Sequence, residues 1–188
     1  SALLQAVKKN RKKIVRYLLS QKADANTKSL DNETPLSAAS FNGNLDFVKL
    51  LLNSGADPKA VDGTGKSAII YAAAKGFSEI VKILLDNGVD VNQKYENDLT
   101  AFIWAAGSTN DTPQIDSIKT LKVLVKNNVN IDHQDNRGMT ALMYASKQNS
   151  LEILRFLVTS GANMDLVNKE NKRAIDLTQN KEIKKLLN

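Results

Sequence analysis

Histidine occurs once in this chain, at His133, within the run IDHQD. Asp132 and Asp135 stand beside it, and the three side chains could be drawn as a metal cluster. A tetrahedral zinc site needs about three or four ligands, and the chain has no cysteine to complete one. Disulfides, thiolate metal sites and a cysteine nucleophile are excluded for the same reason. His133 and Asp132 also fall where an earlier copy of the same pattern has Gln93 and Asn92. They read as ordinary turn residues, and no metal or cofactor is expected. GTGK at 63–66 resembles a fragment of a phosphate loop, but it lacks the preceding spacing and lies in a turn. Asp24, Asp57 and Asp90 recur at regular intervals and read as structural. No serine-nucleophile motif or metal-binding helix is present, so an enzyme is not expected.

The other chemistry-bearing stretch is basic, KKNRKK from Lys8 to Lys13. Residues 1–28 hold eight cations (Lys8, Lys9, Arg11, Lys12, Lys13, Arg16, Lys22, Lys28) against Asp24, a net +7. The whole chain is +6, so the remainder sums to −1. No aromatic residue interleaves the run, and Tyr17 lies one helical turn beyond it. The run reads as the solvated face of an end segment. The alternative is a patch for nucleic acid or an anionic surface, for which binding falls steeply with salt.

The elements that must position these residues come from a repeat. NGNLDFVKLLLNSGADPKA (42–60) returns as KGFSEIVKILLDNGVDVNQ (75–93), displaced by 33 residues, and KNRKKIVRYLLSQKADANT (9–27) precedes it by 33. NSLEILRFLVTSGANMDL (149–166) follows the same template. So does TLKVLVKNNVNIDHQ (120–134), once seven extra residues are allowed for. A second piece opens the units: SALLQAV, TPLSAAS, SAIIYAA, TAFIWAA, TALMYAS, and a degraded RAIDLTQ. Phe47, Val48, Leu51 and Leu52 recur at helical spacing and predict an amphipathic second helix. Gly55, Gly88 and Gly161 stand where a left-handed cap ends that helix. Ala39, Ala72, Ala105 and Ala145 share one position in the first helix, where a small side chain lets neighbours approach. Asp62-Gly63 and Asp135-Asn136 predict turns. Helix pairs this short cannot bury their own apolar faces and must stack.

The 33-residue period, the TPL/TAL openings, Gly55-Ala56-Asp57 and the Asp-Gly turns resemble ankyrin repeats over nearly all 188 residues. The resemblance implies an all-α solenoid, a single domain 1–188 with units near 1–28, 29–61, 62–94, 95–134, 135–167 and 168–188. The family's Thr-Pro-Leu-His is complete nowhere: Ser37, Ile70, Ile103 and Met143 stand where His is usual, and Pro survives only as Pro35. The bonds that His makes must be replaced or absent.

The resemblance also implies a protein-binding module whose ligand lies along a groove of hairpin tips and first helices. The partner-binding residues it points to are Phe41, Lys66, Tyr71, Lys75, Glu96, Leu99, Trp104, Arg137, Met139 and Tyr144. Tyr71, Trp104 and Tyr144 share one position, and Phe41, Leu99 and Met139 are expected as exposed apolar groups without a fold duty. The insertion near 107–117 adds Ser108, Thr109, Asn110 and Asp111 as a wall beside Trp104, with Pro113 beginning an extended second helix. Drift is the competing account, since loops lengthen at little cost. The Lys- and Asn-rich repeats are similar to bacterial ankyrin proteins, some of which cap an exported hydrolase such as a cell-wall peptidase. The partner expected is another folded protein, an enzyme that it inhibits among the options; a host-protein-binding effector or adaptor is the alternative. A small-molecule substrate is not expected, and the chain alone is expected to be a monomer.

Composition sets the outer bounds. Forty-two per cent apolar and 24% charged residues fit a soluble globular chain. No run approaches the roughly 18 apolar residues of a membrane span. No signal peptide is visible and the chain starts at Ser1, which reads as a processed or trimmed product from which an export signal could have been lost. Bacterial periplasm and cytoplasm both stay open.

Overall fold

The computed structural model describes residues 1–107 and 112–188. Two short helices per repeat follow from the two apolar periodicities. They are α1 (Ala2–Lys8) and α2 (Lys12–Ser20), α3 (Pro35–Phe41) and α4 (Leu45–Asn53), α5 (Ala68–Ala74) and α6 (Ser78–Asp86). Then come α7 (Ala101–Ala106) and α8 (Gln114–Lys126), α9 (Ala141–Lys147) and α10 (Leu151–Thr159), and α11 (Lys181–Leu186) after a 3₁₀ turn at Ala174–Leu177. The fold class is all-α: among the described residues there is no strand, only one isolated antiparallel bridge between Val61 and Ser67. The chain falls into two compact units, residues 1–72 with 79–90 and residues 73–78 with 91–188.

Inside the first unit α1 packs on α2 and α3, and α3 on α4. Inside the second, α7 packs on α8 and α9, and α10 on α8, α9 and α11. The alanines expected to permit close approach, Ala39, Ala72, Ala105 and Ala145, are all 0% exposed. In the second helices Phe47, Val48 and Leu51 are buried and Leu52 is half-buried. The end helix α2 buries only Val15 and leaves Ile14 and Tyr17 exposed.

Helix ends follow the sequence closely. Gly55, Gly88 and Gly161 have φ of +84°, +86° and +90°, and Lys22 and Asn128 take the same left-handed place in their repeats. Thr34, Thr100 and Thr140 accept the N–H three residues on, from Ser37, Ile103 and Met143. Ser37 replaces the missing histidine chemically, because its Oγ also receives the Thr34 N–H at 3.0 Å and closes a capping box. Ile70, Ile103 and Met143 replace it with burial instead, at 0%, 3% and 1% exposure.

The insertion is spent partly on helix. α8 has 13 residues against nine in α4, α6 and α10, and it starts directly after Pro113. Just before it, Thr112 is buried and its Oγ1 donates to the Ala74 carbonyl at 3.2 Å, so it caps the end of α5. Gly76, at φ +75°, lies under the same flank: a Cβ there would sit 2.9 Å from Asp116 Cβ and 3.1 Å from the Asp116 carbonyl carbon.

Two stability predictions follow from these positions. Gly55→Ala meets nothing within 4 Å and carries left-handed strain alone, about 1 kcal/mol. Gly76→Ala adds overlap with a backbone and should cost about 3 kcal/mol in urea unfolding. Equal losses would contradict the packing of the insertion flank. Thr120 is fully buried where other repeats have Phe47, Ile80 and Ile153, and its hydroxyl has no hydrogen-bond partner among the described residues. Thr120→Val, nearly the same in shape, should therefore stabilise by about 1 kcal/mol, read as a higher urea midpoint.

Candidate interaction surface

Each hairpin between repeats contains N–H groups that cannot join a helix ladder, and in four of the five a side-chain oxygen collects them. Ser29 Oγ accepts from Asp31 N and Glu33 N. Asp62 Oδ1 accepts from Thr64 N and Lys66 N, and Asp135 Oδ1 from Arg137 N and Met139 N, both at 2.8 Å. Asn168 Oδ1 accepts from Glu170 N and Lys172 N. Successive hairpins are also joined through backbone: Gly63 N–H donates to Asp31 O, Asn136 N–H to Asn97 O and Lys169 N–H to Arg137 O.

The second oxygen of the two aspartates reaches outward from the turn to an aromatic residue. Tyr71 Oη donates to Asp62 Oδ2, and Tyr144 Oη donates to Asp135 Oδ2 at 2.6 Å. Both tyrosines are half-buried. In the first unit the Phe41 ring, 50% exposed, meets Tyr71 edge to face, with centroids 5.7 Å apart. In the second unit Arg137 Nη2 donates to Tyr144 Oη and pairs with Asp135 Oδ2 at 3.3 Å, while its guanidinium carbon lies 5.6 Å from the ring centroid. Burial opposes ionisation of Asp135, but the Tyr144 phenol, the Met139 and Arg137 N–H groups and the Arg137 charge together hold its carboxyl below the usual carboxylate range. Burial and the bond to the carboxylate push each phenol up to about 12, Tyr71 against Asp62 and Tyr144 against Asp135.

The structure thus brings Phe41 to Tyr71, and Arg137 to Tyr144, each pair within one unit. Trp104 is half-buried on α7. Lys66 is half-buried and donates to Thr64 Oγ1 at 3.2 Å, while Lys75 and Glu96 are exposed. Ser108, Thr109, Asn110 and Asp111 lie outside the described residues. The exposed setting expected for two apolar residues needs correction. Met139 is 6% exposed, because the next hairpin closes over it and Asn168 Nδ2 points at its Sδ from 3.4 Å. Leu99, at the equivalent position, is half-buried. Asp62 and Asp135 carry the arrangement and were readable only as turn formers; the usable signal was the nine-residue step from each to its tyrosine.

The chemistry first considered at His133 is occupied otherwise. His133 Nε2 bonds the Asp98 carbonyl oxygen at 2.7 Å, Asp132 Oδ1 accepts the Asn163 N–H, and Asp135 serves its turn. Asp24 and Asp57 each accept the N–H two residues on, the structural role their recurrence suggested. In the basic run Lys8 meets Glu33 at 2.8 Å and Lys12 meets Asp46 at 2.7 Å.

Paired helices, hairpins closed by a side-chain oxygen and aromatic residues held beside them define an all-α repeat protein of the kind that binds other proteins. The family model for ankyrin repeats (3 copies) matches residues 3–95, 38–121 and 69–168, and the chain belongs to the ankyrin-repeat family. Ankyrin repeats are protein–protein interaction modules, and the family is typically a non-enzymatic scaffold. The chain is also similar to the potassium channel AKT2/3 of Arabidopsis thaliana, 33% identical over 55 residues. That match covers 29% of this chain and 7% of the channel, so the likeness is to a small part of a much longer protein. No helix among the described residues is long and apolar enough to cross a membrane.

The tethered phenols give an alkaline signature. Each holds its proton more tightly folded than unfolded, so its contribution to stability is complete below the unfolded value of 10 and is lost as pH rises from 10 to about 12. Between pH 9 and 11.5 the urea midpoint of wild type should fall more steeply than that of a Tyr71→Phe/Tyr144→Phe variant. Parallel falls would show that neither phenol is held this way.

Proposed function

We propose that this chain is a non-enzymatic module that binds a folded protein through its hairpin tips and first-helix ends. The observation that carries the reading is the aspartate–tyrosine tether. It holds a half-buried aromatic in one orientation beside exposed residues, so less rotamer freedom is lost on binding. Aromatic residues and arginine are also the side chains that dominate binding hot spots. Phe41 with Tyr71 supplies such a centre in one unit, and Tyr144 with Arg137 in the other. Trp104 and Leu99 are assigned to the binding residues of the second unit, with Lys75 and Glu96 as polar contacts there and Lys66 in the first unit.

The finer form of this reading is an inhibitor that caps a hydrolase, such as a cell-wall peptidase, for self-protection. An effector or adaptor that engages a host protein is its sibling, and identifying the captured partner separates the two. The polyanion alternative is disfavoured because Lys8 and Lys12, two of the five cations in the KKNRKK run, are already paired with acids.

The test is affinity capture from source lysate followed by titration of the purified partner. Wild type is compared with Leu99→Ala/Trp104→Ala and with a variant lacking residues 108–111, which retains Thr112; circular dichroism checks folding. The expected result is one protein held by wild type, with affinity at least tenfold weaker for both variants. Unchanged affinity in both would remove this surface, and retention that collapses with salt on nucleic acid alone would favour the polyanion reading.

A further inference from the structure

In the second unit the last two hairpins enclose a cleft of about 380 Å³. Met139 and Leu177 line it with apolar surface, and the Tyr144 ring adds an aromatic wall. Arg137, Lys147, Lys169 and Lys172 also line it, against a single lining acid, Glu170. That acid is already committed, since its Oε2 takes Lys172 Nζ at 2.8 Å. Asp135, behind Arg137, is committed to Tyr144 and the turn.

Positive charge is therefore left over. Lys147 and Lys169 make no ion pair among the described residues, and only Nη2 of the Arg137 guanidinium is engaged there. Lys169 is nevertheless well placed, because its backbone N–H is bonded to the Arg137 carbonyl at 3.0 Å. The lining combines an apolar and aromatic surface with two cations, Lys147 and Lys169, that make no ion pair among the described residues.

We propose that this cleft receives an acidic peptide segment of the partner protein: one apolar side chain against Met139, Leu177 and the Tyr144 ring, and a neighbouring carboxylate on Lys147, Lys169 and Arg137. This rests on the protein-binding reading above and gives it a partner chemistry. A carboxylate bonded to these cations gains charge-assisted hydrogen bonds. The apolar lining decides between acidic ligands. A nucleic acid or an anionic membrane presents repeated phosphates to an extended row of cations, whereas a recessed volume of this size with an apolar surface suits one or two side chains.

The experiment selects binders from a phage-displayed library of random heptapeptides on the full chain. The best peptide is then titrated by fluorescence anisotropy. The selected peptides should carry Asp or Glu next to a large apolar residue, and replacing their acids by the matching amides should weaken binding at least tenfold. Lys147→Glu/Lys169→Glu, folded by circular dichroism, should lose at least tenfold, and Lys9→Glu/Lys13→Glu, with the same charge change in the first repeat, should not. Peptides with no acidic excess, equal loss in the two charge variants, or full displacement by a duplex oligonucleotide would each overturn the proposal. The captured partner separates this failure from the broader one. A partner still held by Lys147→Glu/Lys169→Glu with unchanged affinity sinks the cleft and leaves the protein-binding reading standing.

Discussion

A hairpin between two short helix pairs has backbone N–H groups that neither pair can use, and leaving them unmet is expensive in a packed protein. In four of the five hairpins the fold answers with one side-chain oxygen, from Ser29, Asp62, Asp135 or Asn168. Each gathers two N–H groups, and the backbone bonds from Gly63 to Asp31, Asn136 to Asn97 and Lys169 to Arg137 then join one turn to the next. Without that closure the first helices would lose their fixed starting points, and their buried alanines could not hold neighbouring helices at close range. The stack is thus an arrangement of nearest-neighbour contacts in which the turn oxygen sets the spacing.

The same chemistry frees the side chains that recognition uses. At Thr64, Arg137 and Glu170 the closing oxygen of the turn takes the backbone N–H, and two of the side chains add to it: Thr64 Oγ1 donates to Asp62 Oδ1 and Arg137 Nη2 to Asp135 Oδ2. Because the closure itself needs only that N–H, each of these positions accepts a different side chain in each repeat. That is why the variable residues cluster at the tips, and why the cations around the cleft of the second unit accumulate there without any packing requirement to explain them. Lys169 illustrates the separation, with its N–H bound to the previous hairpin and its ammonium unpaired among the described residues.

Most of the helical framework was legible because it obeys local rules repeated several times. The apolar stripe of the second helix, the glycine past its end and the alanine in the first helix recur at one spacing and mean the same thing each time. The site was less legible because its decisive contacts are not local. Met139 reads as an exposed tip residue, and it is buried only because Asn168 and Lys169, one repeat later, fold across it; a Cβ on the adjacent Gly138 would lie 3.0 Å from Lys169 N. Asp135 reads as one more turn aspartate, and its second oxygen gains a role only when the turn brings it to Tyr144. In the insertion, Pro113 signals the extended second helix, and α8 has four residues more than its counterparts; the Thr112 cap on Ala74 is a long-range contact that no local pattern announces.

The irregular features of the chain gather in one repeat. Position 95 is a tyrosine where other hairpins have Ser29, Asp62, Asp135 and Asn168, and that turn adds a second left-handed residue, Asn97, before the one that each hairpin has at Asn32, Gly65, Asp98, Gly138 or Asn171. Its aromatic nine residues on is Trp104 in place of a tyrosine, and position 95 carries no carboxylate. The insertion and the longer α8 follow in the same unit. A stack held by nearest neighbours can accommodate such departures if each is compensated locally, and here they are: the left-handed residues shape the turn, His133 bonds the Asp98 carbonyl, and Thr112 anchors the insertion. The repeat without the side-chain closure thus keeps the backbone bond of the template, Tyr95 N–H to Leu99 O, and makes up the missing oxygen with contacts of its own.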